Sequence, residues 1–415
     1  MQPTPALSAS TPLASAPARR FLSVDALRGF DMLWIVGAGG LIHALAELAG
    51  NKTTGVLHLL NSQLAHKEWE GFAFEDLIFP LFVFLVGVSI VFSLSKASTQ
   101  GGKPAAARRI CKRFVLLYIV ALLYSGGVSE HWPDIRLMGV LNRIALAYLV
   151  AAIAFLLLPS RGLVALCAGI LLGYWGLMNF VSFPDLRPRT PTGELVSEKL
   201  VVRDVKELNW GSTNRIRGVF EPGVNFAHYI DQKYLPGKKW DGTWDPEGFL
   251  STLPAIGTCL MGVFAGLLIR SVRIGDQEKV FWLIGAGLVS LGIGFLWGQQ
   301  FPIIKKIWTS SYVLVAAGWS ALLLSAFYQM VEIWKWERWV QPFIWVGSNS
   351  IAIYLANNII GFGRLANRFC GGDLSDFLDH SIAPGAGDLL RAIVAIAIGL
   401  TLVAFLYRRK IFLRL

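Results

Sequence analysis

Charge is scarce in this chain. Of its 415 residues only 16% are Asp, Glu, Lys or Arg, against about a quarter in a typical water-soluble domain. With 54% hydrophobic residues, that shortage excludes a disordered chain and an ordinary soluble enzyme. Cysteine is sparse as well. Cys111, Cys167, Cys259 and Cys370 show no CxxC or CxxH spacing, so neither a disulfide framework nor a zinc site is indicated. No P-loop glycine pattern occurs, and no internal repeat is evident, which disfavours transporters built from duplicated halves.

Long apolar runs are what the chain does have, and mean hydropathy is +0.53. Runs fall at about 22–47, 74–95, 110–128, 137–158, 162–182, 249–269, 279–298, 309–334, 341–362 and 388–407. Backbone hydrogen-bond satisfaction in lipid makes such runs helices. The expectation is an all-α polytopic membrane bundle of ten spans, a single domain over 19–415 with one long insertion on the outside at 183–247. Residues 1–18, rich in Pro, Ala, Ser and Thr, read as a disordered cytoplasmic tail that cannot form a signal-peptide core.

The formal charge of +11 would suggest nucleic acid in a soluble domain. Here Lys and Arg flank apolar runs and, with the long insertion left aside because long loops translocate regardless of charge, one set of segments holds about twice as many as the other. That asymmetry places both termini on the cytoplasmic side and makes lipid, not nucleic acid, the partner. The insertion carries Trp210, Trp240 and Trp244, reads as an ordered outside cap with weak strand-like alternation over 194–205, and is long enough to suggest function.

Ionisable residues within or beside apolar runs are costly and mark functional places. Asp25 and Arg28 share a helix face in SVDALRGFD, either as a local ion pair or with Arg28 on an anionic cofactor. His66 precedes an apolar run in AHKEWEG, with Glu75 and Asp76 in the first turn of that run. An imidazole titrates near neutrality and suits proton removal from a nucleophile; His43 and His58 compete with it. Asn142 and Arg143 lie inside a run, facing a buried acid such as Asp25 or Asp31, or an anion. Trp244, Asp245 and Glu247 gather where the insertion meets the sixth run, as a helix cap or as a site for a cationic sugar.

Over most of its length after residue 20 the chain resembles the heparan-α-glucosaminide N-acetyltransferase family and its bacterial inner-membrane relatives. The carrying segments are RFLSVDALRGFDM at 20–32, AHKEWEGFAFEDLIFPLFVFLVGVSI at 65–90, IRLMGVLNRIALAY at 135–148, WDPEGFLSTLPAIGTCLMGVFAG at 244–266, WTSSYVL at 308–314, GSNSIAIY at 347–354 and RRKIFLRL at 408–415. The resemblance implies a transmembrane enzyme moving acetyl from cytoplasmic acetyl-CoA to an amino sugar such as glucosamine across the membrane, without a metal, as a homodimer. It implies His66 as catalytic base and Asp245, Glu247 and Trp244 on the acceptor. Arg28, Asn142 and Arg143, within the matched segments, and Arg109 and Arg113, basic residues at the inside mouth outside them, would hold the cofactor, and Asp25, Glu75, Asp76 and Asn349 would support the site. The family asparagine ahead of the histidine has no clear match here, although Asn51 and Asn61 lie in the loop, and a later family histidine corresponds to Asn357. An amino-sugar permease, or an O-acetyltransferase acting on a periplasmic glycan, are the competing readings.

Overall fold

A computed structural model describes residues 21–48, 59, 62–190, 192, 194–197, 200 and 202–413. All ten apolar runs are helical. The first is α1 (Leu22–Leu33), a π turn at Trp34–Ala38 and α2 (Gly39–Leu48). Then come α3 (Phe74–Tyr124), α4 (Val140–Leu157) and α5 (Ser160–Phe180). The insertion holds a two-residue hairpin of β1 (Phe183–Pro184) with β2 (Arg215–Ile216), then α6 (Phe226–Tyr234). α7 (Thr252–Arg270), α8 (Asp276–Gly298), α9 (Ser310–Tyr328), α10 (Glu337–Ser348) and α11 (Ser350–Ile360) follow. Two short helices, α12 (Phe362–Cys370) and α13 (Asp373–Ser381), precede α14 (Ala386–Arg408).

The all-α polytopic expectation holds, but the span count is smaller. Among the described residues seven helices are long and apolar enough to cross a membrane, or eight if α10 and α11, bent by 68° at Asn349, form one span. The runs at 22–47 and 110–128 fall short. Gly37, at φ 156°, breaks the first, and the second begins among Arg108, Arg109, Lys112 and Arg113. The alternation at 194–205 forms no strand among the described residues; Arg189 and Leu195 make one isolated bridge.

α3 is two helices joined at Gly102, whose φ of 71° only glycine adopts freely. The chain folds back there, so Ser89 and Ser93 before the break and Arg109 and Arg113 after it line one cavity. Glycines let the central helices touch backbone to backbone. A Cβ on Gly262 of α7 would lie 1.9 Å from the Phe84 carbonyl oxygen, and one on Gly347 of α10 would lie 1.8 Å from that of Asp25. Gly262→Ala is therefore expected to destabilise the protein by about 1–3 kcal/mol, because rigid backbone must move; thermal unfolding in detergent measures it.

Phe21 and Leu413, at the two ends of the described chain, line the same cavity, so one face of the bundle gathers both. At the opposite face, buried Tyr174, Met178, Ala227, Phe301, Ile304 and Ile307 join α5 and the insertion to the segment after α8. That segment, 299–309, is strapped to the loop before α3 by the Gly71 amide on the Ile303 carbonyl at 2.9 Å and a bridge between Glu70 and Ile304. The strap positions the site.

Candidate functional site

His66 sits in the loop ahead of α3, half-exposed, with Nδ1 3.0 Å from Oδ1 of fully buried Asp76. Asp76 is held for local reasons. As the third residue of α3 its Oδ2 accepts the Ala73 amide at 3.2 Å, closing the helix start, and also the Lys67 amide at 3.2 Å. Tyr312 donates its hydroxyl to the Asp76 carbonyl at 2.7 Å. One carboxylate thus caps a helix, closes a loop and fixes an imidazole. With Nδ1–H donating to Asp76, Nε2 carries the free lone pair of a base. Lys305, brought in by the strap, lies 3.2 Å from His66 Nδ1 and 3.3 Å from Asp76 Oδ1.

Three cavities run from one face of the bundle to this imidazole. The largest, about 670 Å³, is basic: Arg28, Lys96, Arg109, Lys112 and Arg113 line it, with Asp25 beside them. A second of about 340 Å³ shares Phe82, Leu141, Ile144 and Ile351 with the first, and is otherwise walled by Met32, Ile35, Ile78, Phe79 and Tyr354. It ends at His66, Glu75, Glu247 and Lys305. The third, about 150 Å³, adds Lys67, Asp76, Arg143, Lys306 and Trp308 around the same histidine. The geometry is a charged vestibule, an apolar neck and a polar chamber.

The residues expected from the sequence divide between the two ends. Arg28, Arg109 and Arg113 share the basic cavity. Arg28 also pairs with Asp25 at 3.5 Å and donates to Ser89 Oγ at 2.5 Å, so the local ion pair and the cavity lining coexist. Arg143 is separated from them. It is fully buried at the histidine end, donating to the Pro246 carbonyl at 2.7 Å and to Ser251 Oγ at 2.5 Å, with its guanidinium 4.9 Å over the Trp308 ring. Asp25 and Asp31 are not its partners, and it lines the third cavity rather than the basic one shared by Arg28, Arg109 and Arg113. The physical reason is that α4 begins at that face, one turn before Arg143. Asn142, its neighbour, is buried and lines none of the three cavities.

Asp245 is engaged before any ligand arrives. Arg136 grips it through two bonds of 2.8 and 2.7 Å, and the amides of Trp240 and Glu247 donate to it at 3.0 and 2.9 Å. Glu247 takes the same guanidinium at 2.6 Å and still faces both cavities at His66. Burial pushes its carboxyl above the ordinary range, against the pull of Arg143 and Arg136. Trp244 lines neither cavity. It is buried, stacked on His228 at 3.7 Å and edge-on to Trp69 at 6.0 Å. Asn349, at the α10–α11 bend, accepts the Leu413 amide at 3.3 Å and so ties the chain's end to the wall of the basic cavity. Glu75 lines the neck. His43 is exposed on α2, and His58, Asn51 and Asn61 lie outside the described residues.

Four residues in or beside the chamber escaped the sequence reading. Arg136 fell inside a quoted segment without a role. Lys305 and Lys306 counted only toward orientation, although a Lys-Lys pair just ahead of WTSSYVL was a usable signal. Trp308, fully buried, floors the chamber against Phe79 at 4.9 Å and donates to Thr258 at 3.1 Å.

Behind the chamber, Asp231 of α6 accepts the Phe249 amide at 2.9 Å, and burial raises its carboxyl from 3.8 to about 7. A carboxyl raised on folding holds a proton that the unfolded chain has released. Its contribution therefore favours the fold at low pH and fades as pH climbs from about 4 to about 7. Asp231→Asn is expected to flatten the fall of the melting temperature over that window; an unchanged slope would assign the pH dependence elsewhere.

A helical membrane protein with a cavity path ending at a carboxylate-backed imidazole is the class these features define. Comparison with known proteins places it further. Residues 20–196 match the family model for the catalytic region of heparan-alpha-glucosaminide N-acetyltransferase. The chain is 26% identical to the Homo sapiens heparan-alpha-glucosaminide N-acetyltransferase over 441 aligned residues, covering 96% of this chain and 60% of the human protein. Against the Mus musculus protein of the same name it is 26% identical over 380, covering 84% of this chain and 56% of that one. The chain is similar to these proteins and spans about 60% of the human protein's length. His66, Asp76, Arg28, Arg109, Arg113 and Arg143 fall inside the matched region; Asp245, Glu247 and Lys305 lie beyond it.

Proposed function

We propose that the protein is a transmembrane acetyltransferase that takes acetyl from acetyl-CoA and passes it to the amine of glucosamine or a related amino sugar, with His66 as general base. The observation that carries this reading is the row of wall-sharing cavities from a five-cation vestibule to a His66–Asp76 pair. CoA has a phosphate-rich nucleotide and a thin, extended, uncharged arm. Arg28, Arg109 and Arg113 suit the phosphates, since guanidinium binds them in pairs of hydrogen bonds, and the neck suits the arm. The thioester then meets the acceptor beside His66.

The amine nitrogen attacks the thioester carbonyl while Nε2 takes its proton; collapse breaks the C–S bond, and the imidazolium returns that proton to the departing thiolate. Asp76 holds the ring in the tautomer with Nε2 free and balances the imidazolium that forms. Glu247 faces the acceptor, with Asp245 and Arg136 fixing it. This reading sets the basic face and both termini in the cytoplasm of a bacterium, the insertion in the periplasm, and the active unit as a homodimer in the inner membrane. The test is purified protein with acetyl-CoA and a panel of amines and alcohols, with products read by mass spectrometry. N-acetylglucosamine is the expected product. Acetylated alcohols alone would move the acceptor to a hydroxyl, and vesicle uptake of labelled glucosamine without transfer would make the protein a permease.

A further inference from the structure

The ion behind the imidazole has no part in that scheme. Lys305 approaches His66 from the Nδ1 side, away from the lone pair that meets the substrate, and touches the one Asp76 oxygen that Nδ1 also touches. Nδ1 either carries a hydrogen for Asp76 or accepts one from Lys305, not both. When Nδ1–H faces Asp76, the lysine donates to Asp76 alone and stands as a like charge beside any imidazolium.

We propose that Lys305 is a positioning residue whose ammonium, paired to Asp76, keeps His66 unprotonated and ready to act as base at neutral pH. This rests on the acetyl-transfer reading for its consequence, but the charge argument is independent of it. A buried carboxylate at 3.0 Å from Nδ1 strongly favours imidazolium. An imidazolium cannot take a proton from an amine. A cation on the same carboxylate oxygen cancels most of that field, and its own repulsion of a charged ring adds to the effect. The fold spends structure on this placement: the strap bonds of Gly71 to Ile303 and the buried Ile304 and Ile307 on either side hold the lysine in the chamber. The other charges facing the cluster are Glu75 and Asp76 of α3, Lys67 before it, Arg143 of α4, Glu247 before α7 and Lys306 on the strap, with His43 of α2 acting on Glu75. Lys306 is paired to Asp241 at 3.2 Å, which leaves Lys305 as the cation on the His66–Asp76 contact.

The test is the pH profile of kcat/KM in Lys305→Met, Lys305→Gln and Lys305→Arg, together with the pH profile of His66 carbethoxylation by diethyl pyrocarbonate, read by peptide mass mapping. That reagent modifies the neutral ring and needs no catalysis. In the Met and Gln variants the acidic limb of both profiles is expected to move upward by at least about one pH unit, a roughly tenfold loss below the limb that disappears above it. Arg restores the original limb. Uniform loss at every pH with an unmoved carbethoxylation limb overturns the proposal and makes Lys305 a structural residue, as does no change at all. A moved carbethoxylation limb in a protein that transfers no acetyl group would uphold the role of Lys305 and sink the acetyltransferase reading instead.

Discussion

His66→Ala is expected to slow acetyl transfer by about 10²–10⁴-fold or more while CoA binds as before. A positioned general base contributes about that much. The vestibule that would hold the nucleotide is lined by Arg28, Lys96, Arg109, Lys112 and Arg113, none of which touches the histidine, so donor affinity has no reason to follow. Turnover assays and CoA titration of the same preparation separate the two quantities. Should CoA affinity collapse in a protein that still unfolds at its usual temperature, His66 supports the cavity and does not perform the chemistry. Asp76→Asn belongs beside it. The amide can still meet the Lys67 and Ala73 amides through its oxygen, but it presents no charge to Nδ1 and can reverse the tautomer. A fall in kcat with KM little changed is the expected pattern, because orientation of the base matters most in the transition state.

Arg136→Ala is expected to cost about 3–5 kcal/mol of stability, the usual penalty for leaving a buried ion without its partner. The guanidinium serves Asp245 and Glu247 at once, and the Asp245 side chain is wholly buried. Burial alone would depress the arginine, yet its two carboxylates hold it above its ordinary range. Without it, Asp245 keeps the Trp240 and Glu247 amides, and Glu247 keeps the pull of Arg143. Acid should restore part of the loss, since protonation removes the stranded charges. Thermal unfolding of the variant at neutral and mildly acidic pH measures both effects. A midpoint equal to that of the unaltered protein would show that the DPE turn is held by its own backbone bonds and not by the arginine.

The two variants probe opposite kinds of legibility. His66 was one of three candidate histidines on the residues alone and was singled out by the family resemblance, although its partner Asp76 lies only 10 positions on, close enough for the contact to be plausible from the sequence. The same closeness holds for Arg28 with Asp25. Arg136 and Lys305 did not stand out, because their partners are separated from them by 109 and 229 positions. Composition reads a lysine in a short outside loop as an orientation signal, and nothing local distinguishes one that turns inward. Arg143 shows the same limit from the other side. Its depth in a span was visible, but which of two chambers it faces depends on where α4 begins relative to α7 and the strap. Asp245 illustrates a third case, in which a motif residue was legible as important but its partners were not: Arg136 and the Trp240 and Glu247 amides hold its carboxylate.

Hydropathy by itself determined that this chain is a helical membrane bundle and where its long helices fall, because lipid leaves a backbone no other way to satisfy its polar groups, but it overcounted the spans that the structure shows. It also marked the residues too polar for their surroundings. Only the packed structure decided which of those meet: glycine contacts set the distances between helices, the break at Gly102 turned a cationic segment into a vestibule wall, and the strap carried Lys305 to His66. Those meetings join residues far apart in the chain, and their energies depend on shape and burial that no local pattern encodes.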